Sequence, residues 1–171
     1  MNVGYGIILV LILIKGAYMD NKNSLSTYLQ VLIGKRLDNI NLACEMMVFS
    51  FEDYALHSQC LTRIIAKNDI LVTTLDYQSW DGENDKNNDE WYFVNKYKEQ
   101  IVGGIVLSVN LNALNDLSLT LNNGITIELF VQNGYNHFDD EREQWRFFTC
   151  NENSNLACIV VFSKSVEITQ S

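Results

Sequence analysis

The sequence predicts an α+β protein that is mainly β. We expect an antiparallel meander of about eight strands, curled or partly closed into a barrel, with one N-terminal helix packed on the sheet. Three observations support this fold class. Apolar and polar residues alternate with period two along much of the chain after residue 43. Short polar breaks of hairpin length separate the alternating runs, and the clearest helical spacing lies before them.

The helical spacing lies in residues 24–34. Ser24 or Ser26 can cap the N-terminus of this helix, and Gly34 can end it in the left-handed conformation. One apolar stripe follows the i, i+3, i+4, i+7 pattern of an amphipathic helix. It consists of Leu25, Tyr28, Leu29 and Leu32.

Eight segments rich in β-branched and aromatic residues predict the strands. They are residues 44–51, 54–66, 70–75, 103–109, 117–121, 125–132, 145–149 and 157–162. Asn122-Asn123-Gly124 separates two alternating runs and predicts a tight hairpin. Residues 91–101 suit either a strand or a helix, and we favour a helix or an irregular lid.

Residues 1–18 form a hydrophobic leader, and residues 19–171 are expected to form a single globular domain. The apolar run 7–14 is shorter than the roughly 20 residues of a membrane-spanning helix, so no stable membrane insertion is expected. Residues 15–19 can be encoded by a purine-rich stretch typical of a bacterial ribosome-binding sequence, which favours Met19 as the native first residue. We therefore expect a cytoplasmic protein. The alternative is an exported protein, if residues 7–14 act as a signal segment.

The 171 residues include 12 basic and 21 acidic ones, for a net charge of −9, so no nucleic-acid partner is expected. Residues 76–90 hold six acidic residues and one lysine, and residues 139–143 hold four acidic residues and one arginine. Such segments are typical of solvated loops. Alternatively, they form an acidic rim that steers a basic protein partner onto the sheet.

Cysteine and carboxylate spacing predicts no metal site and no cofactor. The four cysteines contain no C-x-x-C pair and are expected to be reduced core residues, with a Cys150–Cys158 bridge as the alternative in an exported protein. Residues 81–89 alternate oxygen ligands, but a calcium loop would need Gly and Glu where this chain has Lys86 and Tyr92. Only a weak, non-specific cation site is compatible with this loop.

The segment 56–64 contains the most unusual group of polar side chains. If residues 54–66 form one strand, His57, Gln59 and Arg63 share a face that can bind an anion or a carboxylate. Cys60 falls on the opposite face from His57, which argues against a Cys–His nucleophilic pair, and no catalytic residue is predicted. The alternative is a solvated face whose polar residues pair across the sheet with Glu45 and Glu128.

The three tryptophans all lie beside acidic segments, and tryptophan and arginine are enriched at interface hot spots. Trp80 and Trp91 flank the first acidic segment, and Trp145 follows the second. The alternative for Trp145 is a place in the core. The candidate ligand-binding or partner-binding residues are His57, Gln59, Arg63, Trp80, Asp81, Glu83, Asp85, Asp89, Trp145 and Arg146.

The order of these segments resembles a family of small bacterial proteins of unknown function. The resemblance spans residues 35–148 and depends most on Leu-His-x-Gln-Cys-x-x-Arg-Ile at residues 56–64. Ile70-Leu-Val, Asp76, the hairpin 119–130 and Glu143-x-Trp-Arg-Phe follow in order. Family members often have Pro-Trp where this chain has Leu61-Thr62, and this difference weakens the transfer of any ligand site. The family is similar to proteins encoded singly or near contact-dependent toxin loci, which implies a loosely immunity-protein-like role without assigned catalytic residues.

The leading interpretation is a small acidic bacterial protein-binding module of immunity or antitoxin type, with a basic, toxin-like protein as its partner. The alternative is a small-molecule or anion binder, or an enzyme, that uses His57, Gln59 and Arg63. The sequence lacks a recognised catalytic signature, which favours a protein that is not an enzyme.

Overall fold

The computed structural model describes residues 25–43, 45–133, 141–151 and 158–169, and these residues form two antiparallel β-sheets around one hydrophobic core. The described strands are β1 (Asn39–Ala43), β2 (Met46–Phe51), β3 (Tyr54–Ser58), β4 (Leu61–Ala66), β5 (Asp69–Thr73), β6 (Val106–Leu111), β7 (Leu117–Leu121), β8 (Ile125–Phe130), β9 (Glu143–Thr149), β10 (Cys158–Phe162) and β11 (Val166–Thr169). One sheet has the order β1-β2-β3-β9-β10-β11, and the other has the order β5-β4-β8-β7-β6.

The prediction of a mainly β, antiparallel fold is confirmed, whereas the prediction of one curled meander is wrong. Strand β3 pairs with β9 and β4 pairs with β8, so partners distant in the sequence lie side by side. Within the described residues, neither sheet closes into a barrel. The chain instead changes sheet between β3 and β4, and this change divides the predicted strand 54–66 in two.

The structure also contains two strands that were not predicted, β1 and β11. Both carry a weak alternating pattern, with Ile40 and Leu42 buried in β1 and Val166 and Ile168 partly buried in β11. The asparagines of β1 hide the strand signal, because asparagine is depleted in strands. Strand β11 is only four residues long, which is too short for a period of two to stand out.

The predicted N-terminal helix is present over the described part of its range. Residues 25–29 are α-helical, and Gln30–Leu32 continues them as a 3₁₀-helix. The apolar stripe packs into the core, with Leu25, Leu29 and Leu32 buried. Gly34 ends the helical segment with a φ of 85°, and its N–H donates to the Val106 carbonyl at 2.9 Å, which ties the segment to β6.

We call the helical residues 25–29 α1 and the helix Asp89–Ile101 α2. Residues 91–101, for which the sequence allowed either a strand or a helix, form most of α2. A 3₁₀-helix (Thr74–Ser79) precedes α2. Asn88 caps the N-terminus of α2 by accepting a hydrogen bond from the Trp91 N–H at 3.0 Å. Helix α2 contacts β5 of one sheet and β1 of the other. It therefore covers the core between the two sheets.

The predicted Asn122–Gly124 hairpin is confirmed and also holds the C-terminal end of α2. Gly124 has a φ of 82°, a conformation that glycine adopts without strain. The Asn123 side chain donates to the carbonyls of Gln100 at 2.9 Å and Ile101 at 3.3 Å, near the end of α2. A side chain at Gly104 would meet Asn123, because a Cβ placed there lies 2.4 Å from the Asn123 amide oxygen.

The predicted leader (residues 1–18), the Met19 start and the Ser24 cap lie outside the described residues. Within the described ranges, no helix combines the length and the apolar composition that crossing a membrane requires.

Trp145 is a core residue, so its assignment as a partner-binding anchor is wrong. Its side chain is fully buried, as are those of Phe49, Phe51 and Phe147. The indole Nε1–H donates to the Asn115 carbonyl at 3.0 Å, which links β9 to the loop between β6 and β7. The ring thus packs the core of both sheets and its polar atom has a fixed partner.

We expect the Trp145→Ala protein to lose about 3–5 kcal/mol of unfolding free energy, because the substitution empties a large core site. Trp80→Ala is the matched control, since Trp80 is 39% exposed, and it should change stability by less than about 1 kcal/mol. Guanidinium unfolding followed by circular dichroism measures both values. Equal midpoints for Trp145→Ala and the unsubstituted protein would contradict the core assignment.

Candidate functional site

The predicted polar face of His57, Gln59 and Arg63 is not a single site. His57 lies on β3 in the six-stranded sheet, and Arg63 lies on β4 in the five-stranded sheet. Gln59 lies in the turn between them and is exposed. The predicted alternation holds, since Leu56, Cys60 and Ile64 are buried, but the two outward side chains diverge on the solvent sides of different sheets. The prediction that they share one strand face is therefore wrong.

Arg63 is paired within the protein, as the alternative for this segment predicted. It stands opposite Glu128 in the β4–β8 ladder, and its Nη2 and Nε atoms donate to Glu128 Oε2 at 2.5 and 3.1 Å. The guanidinium also lies 4.6 Å from the centroid of the Phe130 ring. Both the charge and the planar face of Arg63 already have partners.

His57 faces Arg146 across the β3–β9 ladder, a contact that the sequence did not indicate. Its imidazole makes an edge contact with the Phe148 ring at a centroid distance of 4.9 Å. Partial burial and the Arg146 charge lower the pKa of His57, against an opposing effect of Glu143. Arg146 itself forms a two-point ion pair with Glu143. This cluster is an internally paired part of the sheet surface.

Three cysteines lie within the described residues, and all of them are free thiols: Cys60, Cys150 and Cys158. Cys60 is buried as predicted, and burial raises the pKa of its thiol to about 11, which leaves it uncharged and a poor nucleophile. Cys150 is exposed and Cys158 is half-buried, so the prediction of a core position is wrong for Cys150, and the two do not form the alternative bridge in this structure. Cys44 lies outside the described residues.

The acidic segment, by which we mean residues 76–90, has a fixed internal structure. Asp81 Oδ1 accepts hydrogen bonds from the N–H groups of Glu83 at 2.9 Å and Asn84 at 3.2 Å, and Asp81 Oδ2 accepts one from the Asn87 side chain. These bonds hold the pKa of Asp81 below its ordinary value. Asp81 therefore stays charged and organises its own loop. No group of three His, Cys, Asp or Glu side chains within the described ranges is placed to hold a metal ion.

Two further hydrogen bonds close the acidic segment. The Trp80 indole N–H donates to the Asn84 carbonyl at 2.7 Å. The Asp89 N–H donates to Ser79 Oγ at 2.7 Å, which joins the first turn of α2 to the end of the 3₁₀-helix. The charges of this segment are consequently displayed from a defined backbone.

Aromatic side chains lie at the surface of the acidic segment. Trp80 is 39% exposed and stacks on Tyr77 at 5.6 Å, and Tyr92 on the first turns of α2 is 59% exposed. A groove of about 920 Å³ lies beside them, and Asp81, Asp89, Trp91 and Tyr92 are among the residues that line it. The sequence indicated Trp80 and Trp91 but not Tyr92, because a helix was one of several alternatives left open for residues 91–101 and exposure could not be judged without it.

The second predicted acidic segment is only partly described. Asp139 and Asp140 lie outside the described residues. Glu141 accepts a hydrogen bond from Ser165 Oγ at 2.5 Å, and Glu143 pairs with Arg146. The described carboxylates of this segment are thus engaged within the fold.

No protein-family model matches the chain, and neither a curated protein nor a solved structure was found to be similar to it. The resemblance of residues 35–148 to a small bacterial family stays a prediction.

We expect Arg63 not to bind added citrate or phosphate, because Glu128 and Phe130 already occupy the Arg63 side chain. Arg63 should therefore contribute nothing to any change in stability that these anions cause. Thermal unfolding in matched ionic strength, with the Arg63→Gln protein as the control, measures this effect. The two proteins should respond to the anions equally. Stabilisation that depends on Arg63 would contradict the internal pairing and support an anion site.

Proposed function

We propose that this chain is a protein-binding module of immunity or antitoxin type, and that the acidic segment is the surface that receives a basic, toxin-like protein. The carrying observation is that exposed carboxylates and exposed aromatic rings lie together on a backbone held by its own hydrogen bonds. Of the candidate residues, Trp80, Asp81, Glu83, Asp85 and Asp89 belong to this segment and are exposed.

Charge supports a basic partner. The acidic segment carries a formal net charge of −5 out of −9 for the whole chain, or −4 when the buried carboxyl of Glu90 is left out. Asp81, Glu83, Asp85 and Asp89 are all exposed. A concentrated charge of one sign speeds the diffusional approach of an oppositely charged protein and selects against other partners.

Internal order supports tight rather than merely non-specific association. A loop that is already held in its binding conformation loses less entropy when a partner binds. The hydrogen bonds of Asp81, Trp80 and Asp89 supply such order within residues 79–89. Trp80 and Tyr92 then replace Trp145 as the exposed aromatic anchors, because aromatic residues dominate binding energy at interface centres.

The groups expected to serve the alternative function, a small-molecule binder or an enzyme, are dispersed. His57 and Arg63 belong to different sheets, and the Cys60 thiol is buried and uncharged. No observation brings a nucleophile, a base and an open cavity together in the described residues. We therefore favour the binding module.

The test compares two variants of equal net charge. The first carries Asp81→Asn, Glu83→Gln, Asp85→Asn and Asp89→Asn in the acidic segment. The control carries Asp53→Asn, Asp69→Asn, Glu99→Gln and Glu167→Gln at exposed positions elsewhere. Each protein is immobilised and used to capture proteins from a native-host lysate, which quantitative mass spectrometry then identifies. We expect the unsubstituted chain and the control to capture basic proteins that the first variant, called the segment variant, does not.

Association kinetics with a retained protein complete this test. The segment variant should bind more slowly at low salt and show a flatter salt dependence, because steering acts before contact and is screened by ions. Trp80→Ala should mainly raise the dissociation rate. If the segment variant and the control bind alike, the partner surface lies elsewhere or binding follows net charge alone.

A further inference from the structure

Glu90, in the first turn of α2, is a fully buried carboxyl group whose two oxygens have no hydrogen-bond partner in the described part of the chain. The neighbouring Trp91 Nε1 atom is also buried without a partner. A buried polar group without a partner is unfavourable, and a buried charge without one is far more so. The packed fold therefore favours the protonated, uncharged form of Glu90 at this position.

The charged groups that face Glu90 are both acidic. Asp76 approaches from the 3₁₀-helix, and Glu45 approaches from the turn between β1 and β2. Of the other elements that α2 contacts, β1 contains no titratable residue, and the one in β5, Asp69, is exposed. Tyr77 is the remaining titratable residue of the 3₁₀-helix, and it stacks on Trp80. No described cation offsets a negative charge on Glu90.

We propose that the first half of α2 and the acidic segment form a lid that stays closed while Glu90 is protonated and opens when Glu90 ionises. Release would disrupt the surface assigned to the partner, so the regulatory consequence rests on the proposed function. The lid itself is a property of the isolated chain.

Titration supports this geometry. Burial first, and then the charges of Asp76 and Glu45, raise the pKa of Glu90 to about 8. An exposed Glu90 in the open lid would have a pKa near 4.5. Between these values the closed state keeps a proton that the open state releases. Closure is therefore strongest below pH 4.5, weakens as pH rises towards 8, and above that stays at its weakest without further change with pH.

The opening is expected to be local, because the two ends of α2 are held differently. Asn123 anchors the C-terminal end, where Ile101 is buried. The N-terminal half is held by the Asn88 cap and the Ser79–Asp89 hydrogen bond. Besides Glu90 it buries one apolar residue, Val94, with Trp91 and Phe93 partly buried, whereas the shorter strand β8 buries three apolar residues, Ile125, Ile127 and Leu129. Elements with few buried apolar contacts open at lower free energy than core strands.

Amide hydrogen exchange on the complete chain between pH 5 and 9, corrected for the intrinsic exchange rate, tests the lid without any partner. In the unsubstituted protein, the opening constant of amides 91–97 should rise by about tenfold per pH unit between pH 6 and 8 and then level off. The amides of β8 serve as an internal reference and should not follow this profile.

The variants make the assignment specific. Glu90→Gln and Glu90→Leu should both remove the pH dependence, so that poor folding of one still leaves the other informative. Glu99→Gln, an exposed position on the same helix, should retain it. A pH-independent opening constant in the unsubstituted protein would overturn the proposal, as would an unchanged profile in a folded Glu90 variant. Because the test uses no partner, either result leaves the proposed partner surface to be judged separately.

Discussion

The fold depends on a hydrogen-bonded corner at which the chain leaves one sheet for the other. The N–H groups of Gln59 and Cys60 both donate to the Gln144 carbonyl, at 2.8 and 3.0 Å. The Gln144 side chain, which is 5% exposed, accepts from the Gln132 N–H at 2.7 Å. One residue of β9 thereby joins the β3–β4 corner to the segment that follows β8. The buried Ser58 and Thr62 hydroxyls, 2.6 Å apart, satisfy each other inside the same corner.

This corner also determines which of the candidate residues can lie close together at the surface. By directing β3 and β4 into different sheets, it separates His57 from Arg63, and each then finds its own cross-strand neighbour. The next residue of β9, Trp145, is drawn into the core that both sheets share. Of the groups that the sequence indicated, those left exposed and adjacent to one another are in the acidic segment. A surface of carboxylates and aromatic rings on an ordered backbone is suited to a protein partner.

Local sequence signals predicted local structure well and long-range placement poorly. The apolar stripe of residues 25–32, the Asn122–Gly124 turn and strands β7 and β8 follow from spacing and turn chemistry, which act between near neighbours. The sheet change could not be read, because the buried alternation continues unbroken through Leu56, Ser58, Cys60, Thr62 and Ile64. The alternation of apolar and polar residues shows which side of a strand faces the core. The same alternation results whether consecutive strands belong to one sheet or to two sheets that share a core.

The site was predictable to the same limited extent. The acidic segment is a composition signal and was found, and the Arg63–Glu128 pair was anticipated as an alternative. The burial of Trp145 was one of two alternatives, and the burial of Glu90 was not predicted, because burial depends on partners distant in the sequence. Both aromatic and acidic residues occur on surfaces and in interiors, so type alone does not decide between them.

The central claim is that partner contact is confined to one ordered acidic surface, and NMR chemical-shift mapping tests it most directly. The isotope-labelled chain would be titrated with a basic protein retained from the native host. We predict that perturbed amides cluster in residues 76–96, with His57, Arg63 and their strand neighbours unchanged. Perturbations centred on β3 or β4, with residues 76–96 unaffected, would contradict the account.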